Sequence, residues 1–242
     1  MKEYEKYESI LKEKYPCRIE LHAHTSPASK CADFSPEDVV KKYKALGYDA
    51  IVITNHFPGG YENLSMDEFF AQYFGNFDRA RAMGEKLGIK VFLGAELRFV
   101  NDDICPDNDY LLYGCTKEDL IDCYDLLHLN FRFFVNAFIK PRHTLIQAHP
   151  LRKNMVVCDS SLVDGYESFN MHPGHNAQIS LAVRHADKTG KIFTAGTDFH
   201  HENHEGCAAV RFKSLPKDEI DLSKMLKENN FLIEIEKRIL IP

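Results

Sequence analysis

The fold is decided by the stretch Lys191-Ile192-Phe193-Thr194-Ala195-Gly196-Thr197-Asp198-Phe199-His200. A short apolar run ends on an aspartate and a histidine two residues apart, and a β-strand sends such side chains to one face. The same event recurs upstream. Glu20-Leu21-His22-Ala23-His24, Ile53-Thr54-Asn55-His56, Gly94-Ala95-Glu96 and Gln147-Ala148-His149-Pro150 each close an apolar stretch with His or Glu. These are the residue types that ligate hard or borderline divalent metals. Ligands gathered at strand ends are how a βα-barrel assembles one site from distant pieces of chain.

Between these ends the pattern is helical. Ser35-Pro36-Glu37-Asp38 has a capping residue, a proline for the first turn and acids that favour the helix dipole, and Gly47 follows the Val39/Val40/Tyr43/Leu46 stripe. Helices are expected over 1–16, 35–46, 66–87, 117–139, 176–190 and 217–229. Strands are expected over 18–22, 49–54, 89–95, 109–114, 144–148, 165–169 and 191–195, with tail strands near 208–212 and 231–235. This alternation, with no repeat and no low-complexity linker, predicts an α/β fold of parallel βα units with all strand carboxyl ends on one rim.

The 242 residues fit one large α/β domain or two small ones, and 44% hydrophobic residues suffice for a real core. No apolar run is long enough to span a bilayer, so no membrane association is expected. The first 14 residues are charged and lack a signal-peptide core, which predicts a cytoplasmic protein. Seven cysteines without C-x-x-C spacing predict reduced thiols. A net charge of −6 argues against long duplex nucleic acid as a partner, but leaves room for a small anionic substrate held locally. Oligomeric state is not legible.

Taken singly the signals are weak. His22-x-His24 is also what a pair of core or surface histidines looks like, and His56 is one histidine before a loop. Glu96 is sharper, because a carboxylate at the end of Val91-Phe92-Leu93-Gly94-Ala95 is costly to bury without a cation, either a metal or an Arg such as Arg98. Jointly, seven ligand-type residues at five strand ends point to a metal centre made by His22, His24, His56, Glu96, His149, Asp198 and His200.

The ordered set resembles the PHP (polymerase and histidinol phosphatase) superfamily of metal-dependent phosphoesterases over about residues 18 to 213. The resemblance implies a distorted seven-stranded (βα)7 TIM-like barrel, here one domain over 1–242, with two or three divalent ions (Zn, Mn or Fe) at the carboxyl ends of its strands. It implies a first ion on His22, His24, Glu96 and Asp198. A second would sit on His56, His200 and a group from the loop after the first strand, and a third on Glu96 and His149. Two departures stand out. The loop position that is often Asp or His in the family is matched here by Cys31, with Asp33 two residues on; a thiolate would favour zinc, while the alternatives are a packed cysteine and a surface turn. After the fourth strand, where three-metal members often carry a His, stands Gly114-Cys115-Thr116, which leaves His128, His172 or His175 to fill that role.

His172 and His175 lie on a rim loop, where ligand, substrate contact and plain loop residue are all open readings. His185, His201 and His204 read as surface or rim, and His143 falls at the wrong end of its strand. Arg98 and Arg152 follow two of the motifs and could each pair bidentately with a phosphate or form a rim salt bridge. Phe131, Phe133, Phe134 and Phe138 read as helix core. The expected activity is hydrolysis of a small phosphate ester or short oligonucleotide by a metal-activated water, with Asp198, Arg98 and Arg152 as the catalytic residues. The alternatives are amide or ring hydrolysis on the same apparatus, and a non-catalytic metal-binding scaffold. Substrate choice is assigned to the rim loops 57–65, 98–108 and 151–164.

Overall fold

A computed structural model describes residues 3–59, 64–99 and 108–240. In chain order the first half comprises α1 (Glu3–Lys14), β1 (Cys17–Ala23), α2 (Pro36–Ala45), β2 (Ala50–Ile53), β3 (His56–Phe57), α3 (Met66–Leu87), β4 (Lys90–Leu93) and β5 (Ala95–Arg98). The second half comprises β6 (Asp109–Tyr113), α4 (Lys117–Cys123), α5 (Phe131–Phe138), β7 (Thr144–Gln147), β8 (Gly165–Asn170), α6 (Ile179–Thr189), β9 (Ile192–Gly196), β10 (Ala208–Phe212), α7 (Glu219–Lys227), β11 (Leu232–Ile235) and β12 (Arg238–Ile239). Short 3-10 turns follow α4 and precede β8.

Local chemistry sets the helix ends. Ser35 caps α2 by accepting from Asp38 N, with Pro36 in the first turn. Ser65 and Glu68 form a capping box at α3, whose far end is closed by Gly88 at φ 66°, a left-handed position that suits glycine.

The fold is α/β with two mixed six-stranded sheets, ordered β12-β11-β10-β1-β2-β4 and β3-β5-β6-β7-β8-β9. They meet in two places. Gly94 N bonds to Ile53 O and Glu96 N to Asn55 O where β2 runs on into β3 and β4 into β5. On the other side, Ala23 at the end of β1 forms a parallel bridge with Phe199, three residues beyond the end of β9.

One expectation is corrected. β6 is not parallel to its neighbours: it pairs antiparallel with both β5 and β7. A parallel return needs a crossover of about a dozen residues or more, usually helical, whereas an antiparallel neighbour can be reached by a short loop, and only ten residues separate Arg98 from Asp109. Asp109, at the start of β6, therefore lies on the rim where β5 and β7 end, and Gly114-Cys115-Thr116 lies at the other end. The helix expected over 117–139 is broken into α4, a 3-10 turn and α5.

Two apolar clusters carry the packing. One places Val39, Tyr43, Phe69, Tyr73, Phe77 and Phe134 of the helices against Ile51, Leu97 and Leu112. The other joins Leu21, Val52, Phe92, Leu111, Ile146 and Val210 to Leu222 and Leu226 of α7. Thr144, at the start of β7, bonds to Ser223 of α7 through both the backbone O at 3.0 Å and the hydroxyl at 2.7 Å. Since His149 follows the end of β7, α7 covers the end of the sheets opposite that residue.

The C-terminal strands are tied in by a buried charge. Glu234 on β11 accepts from Arg18 Nε of β1 at 2.6 Å and from Arg211 Nε of β10, and Arg18 is 5% exposed. Glu234→Ala leaves that guanidinium buried and unpaired, so a loss of about 3 kcal/mol or more in urea-unfolding free energy is expected. A change below about 0.5 kcal/mol would show that this pair is dispensable.

Candidate metal centre

All seven motif residues converge. Glu96 is the hub: its Oε1 lies 3.1 Å from His149 Nε2 and 3.4 Å from His22 Nε2, and its Oε2 lies 2.7 Å from His56 Nδ1 and 3.4 Å from His24 Nε2. Asp198 Oδ1 lies 3.4 Å from both His22 Nε2 and His200 Nδ1, and 3.5 Å from His24 Nε2. Three overlapping groups have ligand atoms mutually within 4.8 Å: His22/His24/Glu96, His24/His56/His200 and Glu96/Asp109/His149. Every member except His56 is buried, so His56 marks the side open to solvent.

The donors fit a cation. His22 Nε2 and His24 Nε2 stand 3.0 Å apart, facing two carboxylates. Their other nitrogens are engaged: His22 Nδ1 with Glu167 Oε1 at 2.8 Å and His24 Nδ1 with Ser29 Oγ at 2.9 Å. An Nδ1–H donated to Glu167 turns the Nε2 lone pair into the cluster, as in the carboxylate–histidine pairs that support metal ligands. Glu96 Oε2 is fully buried, and its nearest partner is His56 Nδ1 at 2.7 Å.

Titration follows the same charges. Burial alone would lower His22, but Glu167, Asp198 and Glu96 outweigh it and hold the imidazole well above its ordinary value. Burial likewise opposes protonation of His56, but Glu96 and Cys31 raise it to about 10. His24 goes the other way, lowered by burial and by the charges of His200 and His56. Burial would raise Glu96 and Asp198, but the surrounding imidazoles hold both well below the carboxylate range.

A supporting layer holds these groups. Glu167 Oε2 accepts from His149 N at 3.2 Å and from Asn170 Nδ2 at 2.9 Å, and Asn170 Nδ2 also reaches Asp198 Oδ2 at 3.2 Å. Glu20 Oε1 accepts the amides of His22 and Thr197, and burial pushes its carboxyl up to about 7. His149 and Asp198 sit at φ 29° and 51°, a left-handed region costly for non-glycine residues and common at functional sites. Gly196 is required by close approach, because a Cβ there would stand 2.5 Å from Glu167 Oε1 and 2.6 Å from His22 Cβ.

The remaining candidates divide. Arg98 pairs with Asp109, not Glu96, through two bonds of 2.7 Å, and Arg152 reaches the same carboxylate at 3.4 Å, so both guanidiniums stand at the rim beside Glu96 and His149. Cys31 is exposed on the loop after β1 and lies outside the three ligand groups. Asp33 turns outward to His201 Nδ1 at 2.8 Å. His172 stacks on His175 at 4.3 Å between ring centroids and lies 5.6 Å from the His200 ring, outside the three ligand groups. His128 lies against Tyr124, and His143 pairs with Asp119. His185, expected at the surface, is half-buried against Tyr166 OH, and His204, expected at the rim or surface, packs 4.6 Å from the His172 ring and is 9% exposed. Residues 60–63 and 100–107 of the rim loops lie outside the described residues.

Asp109 and Glu167 were not singled out from sequence. Asp109 was hidden by the assumed direction of its strand. Glu167 could have been found by the argument used for Glu96, since it is a carboxylate inside the strand Gly165-Tyr166-Glu167-Ser168-Phe169-Asn170.

The PHP domain model matches residues 20–238. The chain belongs to the PHP domain family. Among curated relatives, it is 33% identical over 87 residues to the DNA polymerase III PolC-type of Oceanobacillus iheyensis, covering 36% of this chain and 5% of that polymerase. It is 26% identical over 158 residues to that of Lactococcus lactis, covering 65% of this chain and 8% of that polymerase. The chain thus spans under a tenth of these relatives. Among solved structures, PsfC of Pseudomonas syringae superposes with a TM-score of 0.61 at 17% identity, covering 86% of this PHP chain and 87% of PsfC. A two-domain protein of Bacteroides vulgatus containing a predicted PHP-like metal-dependent phosphoesterase gives 0.60 at 16%, covering 90% and 64%. An amidohydrolase of Chromobacterium violaceum with bound sulfate gives 0.54 at 14%, covering 90% and 98%. At these identities the likeness concerns the fold.

Glu167→Gln keeps shape but removes the charge behind His22, and should weaken metal affinity about tenfold to a hundredfold, read by competition with a chelating dye. An unchanged affinity would remove Glu167 from the centre. Metal uptake must also displace the protons on His22 and His56, so affinity should fall as pH drops below about 10, with proton release visible by calorimetry in buffers of different ionisation enthalpy. Pure metal binding without proton release would contradict this.

Proposed function

We propose that this protein is a metal-dependent phosphoesterase that hydrolyses a small phosphate ester or a short oligonucleotide end. The observation that carries the reading is the pair of guanidiniums, Arg98 and Arg152, converging on Asp109 at the edge of the Glu96/Asp109/His149 group. An amide substrate gives such a pair nothing to neutralise, whereas a phosphoryl group has oxygens for both. The PolC-type relatives make a nucleotide-related ester reasonable, and the amidohydrolase neighbour keeps amide hydrolysis as the competing activity to assay.

His22, His24, Glu96 and Asp198 would hold a first divalent ion, and His24, His56 and His200 border a second. Glu96, His149 and Asp109 offer a third position. Glu96 would contribute to more than one of these positions, since its two oxygens face different imidazoles. Bound divalent ions lower the pKa of water and withdraw charge from phosphoryl oxygens. The chain's part is orientation. Glu167 and Ser29 fix the imidazole tautomers, Asp109 holds both guanidiniums at the rim, and the buried walls raise the strength of each charge contact. We further infer that the two sheets curl into a distorted seven-stranded barrel, supported by the Ala23–Phe199 bridge that joins β1 to the segment just after β9.

Phosphate release from an aryl phosphate should require added Mn or Zn. Asp198→Ala should abolish it while leaving the circular dichroism spectrum intact, and Arg152→Met should cost about a hundredfold in kcat. Turnover that persists in chelator-treated, folded protein would overturn the proposal, and amide hydrolysis without phosphate release would transfer it to the other class.

A further inference from the structure

We infer that a rim cleft beside the metal centre, between the loop after β8 and the end of β11, binds the leaving group of the ester, and that this group is uncharged and rich in hydroxyls, as in a sugar or polyol monophosphate. The inference rests on the phosphoesterase reading above and deepens it by naming the substrate class. The cleft has a volume of about 640 Å³, within the range of small-molecule sites. Its walls come from three places, and topology puts all three at the ligand rim. The stretch from Asn170 to Ser180 runs from the end of β8 into the start of α6, and Asn203 and Cys207 lie between β9 and β10. Glu236 follows β11, whose end pairs with the start of β10 through Ile235 and Ala208. β10 runs antiparallel to β1, so its start stands where β1 ends. The cleft adjoins the metal centre: Asn170 Nδ2 lies 3.2 Å from Asp198 Oδ2, and the His172 ring 5.6 Å from the His200 ring.

The lining selects the ligand. Among the described residues around the cleft there is no Lys or Arg, and the one acid is Glu236. A second phosphate or a carboxylate on the leaving group would meet that carboxylate with no cation to offset it. A purely apolar group would cover amides and hydroxyls that it cannot satisfy. A hydroxyl suits both kinds of wall, because it donates to Glu236 and accepts from N–H groups. Several donors are set in advance. Gly174 N donates to His172 Nδ1 at 3.0 Å, so the ring proton sits on Nε2. Asn176 Oδ1 accepts from Gln178 N at 3.1 Å, which commits its oxygen and leaves the NH2 to donate. Gln178 Nε2 donates to Leu151 O at 2.8 Å and ties the wall to the turn that carries Arg152. Gln178 and Glu236 hold φ of 48° and 49°, left-handed conformations that are costly for such residues and frequent at ligand clamps. Arg98 and Arg152 stand past β5 and β7, and the cleft beyond β8 and β9. A phosphoryl group at the centre can therefore face the guanidiniums on one side and extend its alcohol into the cleft on the other.

The test compares hexose and pentose monophosphates with phenyl phosphate and a hexose bisphosphate, using the unaltered, Mn-loaded chain. At least one sugar monophosphate should exceed phenyl phosphate about tenfold in kcat/KM, each hydrogen bond to the alcohol contributing a few-fold. The bisphosphate should fall below its monophosphate. Ser180→Trp, at an exposed position in the cleft, should lower kcat/KM for the sugar phosphate about tenfold, mainly through KM. Glu236→Lys should reverse the order of bisphosphate and monophosphate. A readout without turnover separates the cleft from the chemistry. In chelator-treated protein, the ring-proton NMR signals of His172 and His175 should move on titration with the free sugars of the panel, and stay still in Ser180→Trp. Equal kcat/KM for sugar and phenyl phosphates with no movement of those signals, or a preference of the unaltered protein for the bisphosphate, would overturn the cleft while leaving the phosphoesterase standing. Signals that move in a protein that releases no phosphate would uphold the sugar site and remove the phosphoesterase reading.

Discussion

The structure turns on one buried carboxylate. Glu96 is 1% exposed and lies within 3.4 Å of four imidazole nitrogens from three separate segments: His22 and His24, His56, and His149. A lone carboxylate taken out of water costs several kcal/mol, so its surroundings must supply positive charge. β1, β3 and the end of β7 are each brought to that one point. Asp198 repeats the requirement from the end of β9, with His22, His24 and His200 around it. Two negative groups among five histidines make an arrangement that either holds protons or holds divalent ions, and the opposite pKa directions of His22 and His24 express that tension.

The cost of such a centre is distributed through its supports. Glu167 and Glu20 bind backbone amides and the His22 ring from behind, and Asn170 bridges Glu167 to Asp198. His149 and Asp198 accept unfavourable backbone conformations at the points where the strands hand over to loops. The helix-side cluster reaches the site itself through Ala23, Phe57, Ala95, Leu97 and Phe199, which alternate with the ligand candidates along the chain, while α7 packs at the opposite end.

Much of the site was legible before the fold. A histidine or acid directly after an apolar strand is a local pattern, and His22, His24, His56, Glu96, His149, Asp198 and His200 all follow it; the structure collects them because parallel strands end on one side. Residues whose place depends on a non-local choice were not legible. Arg98 follows Glu96 by two positions, yet its partner, Asp109, is fixed by antiparallel pairing across β5 and β6. Asp33 lies nine residues beyond His24, and only the path of the loop, held by Asp33 N to His200 O, decides that its carboxylate pairs outward with His201.

The sequence by itself determined the alternation of strands and helices, the α/β class, seven of the residues that meet at the candidate site and the capped ends of α2 and α3. These depend on periodicity and on short-range hydrogen bonds, which a few neighbouring residues specify. Tertiary structure alone decided the direction of β6, and with it the entry of Asp109 into the site and the pairing of both guanidiniums. It also decided that Glu167 and His204 are buried and that His185 is half-buried. The physical reason is that an alternating strand reads the same whichever way it runs. Its direction is set by the length of its connections and by the neighbours with which it can complete its backbone hydrogen bonds.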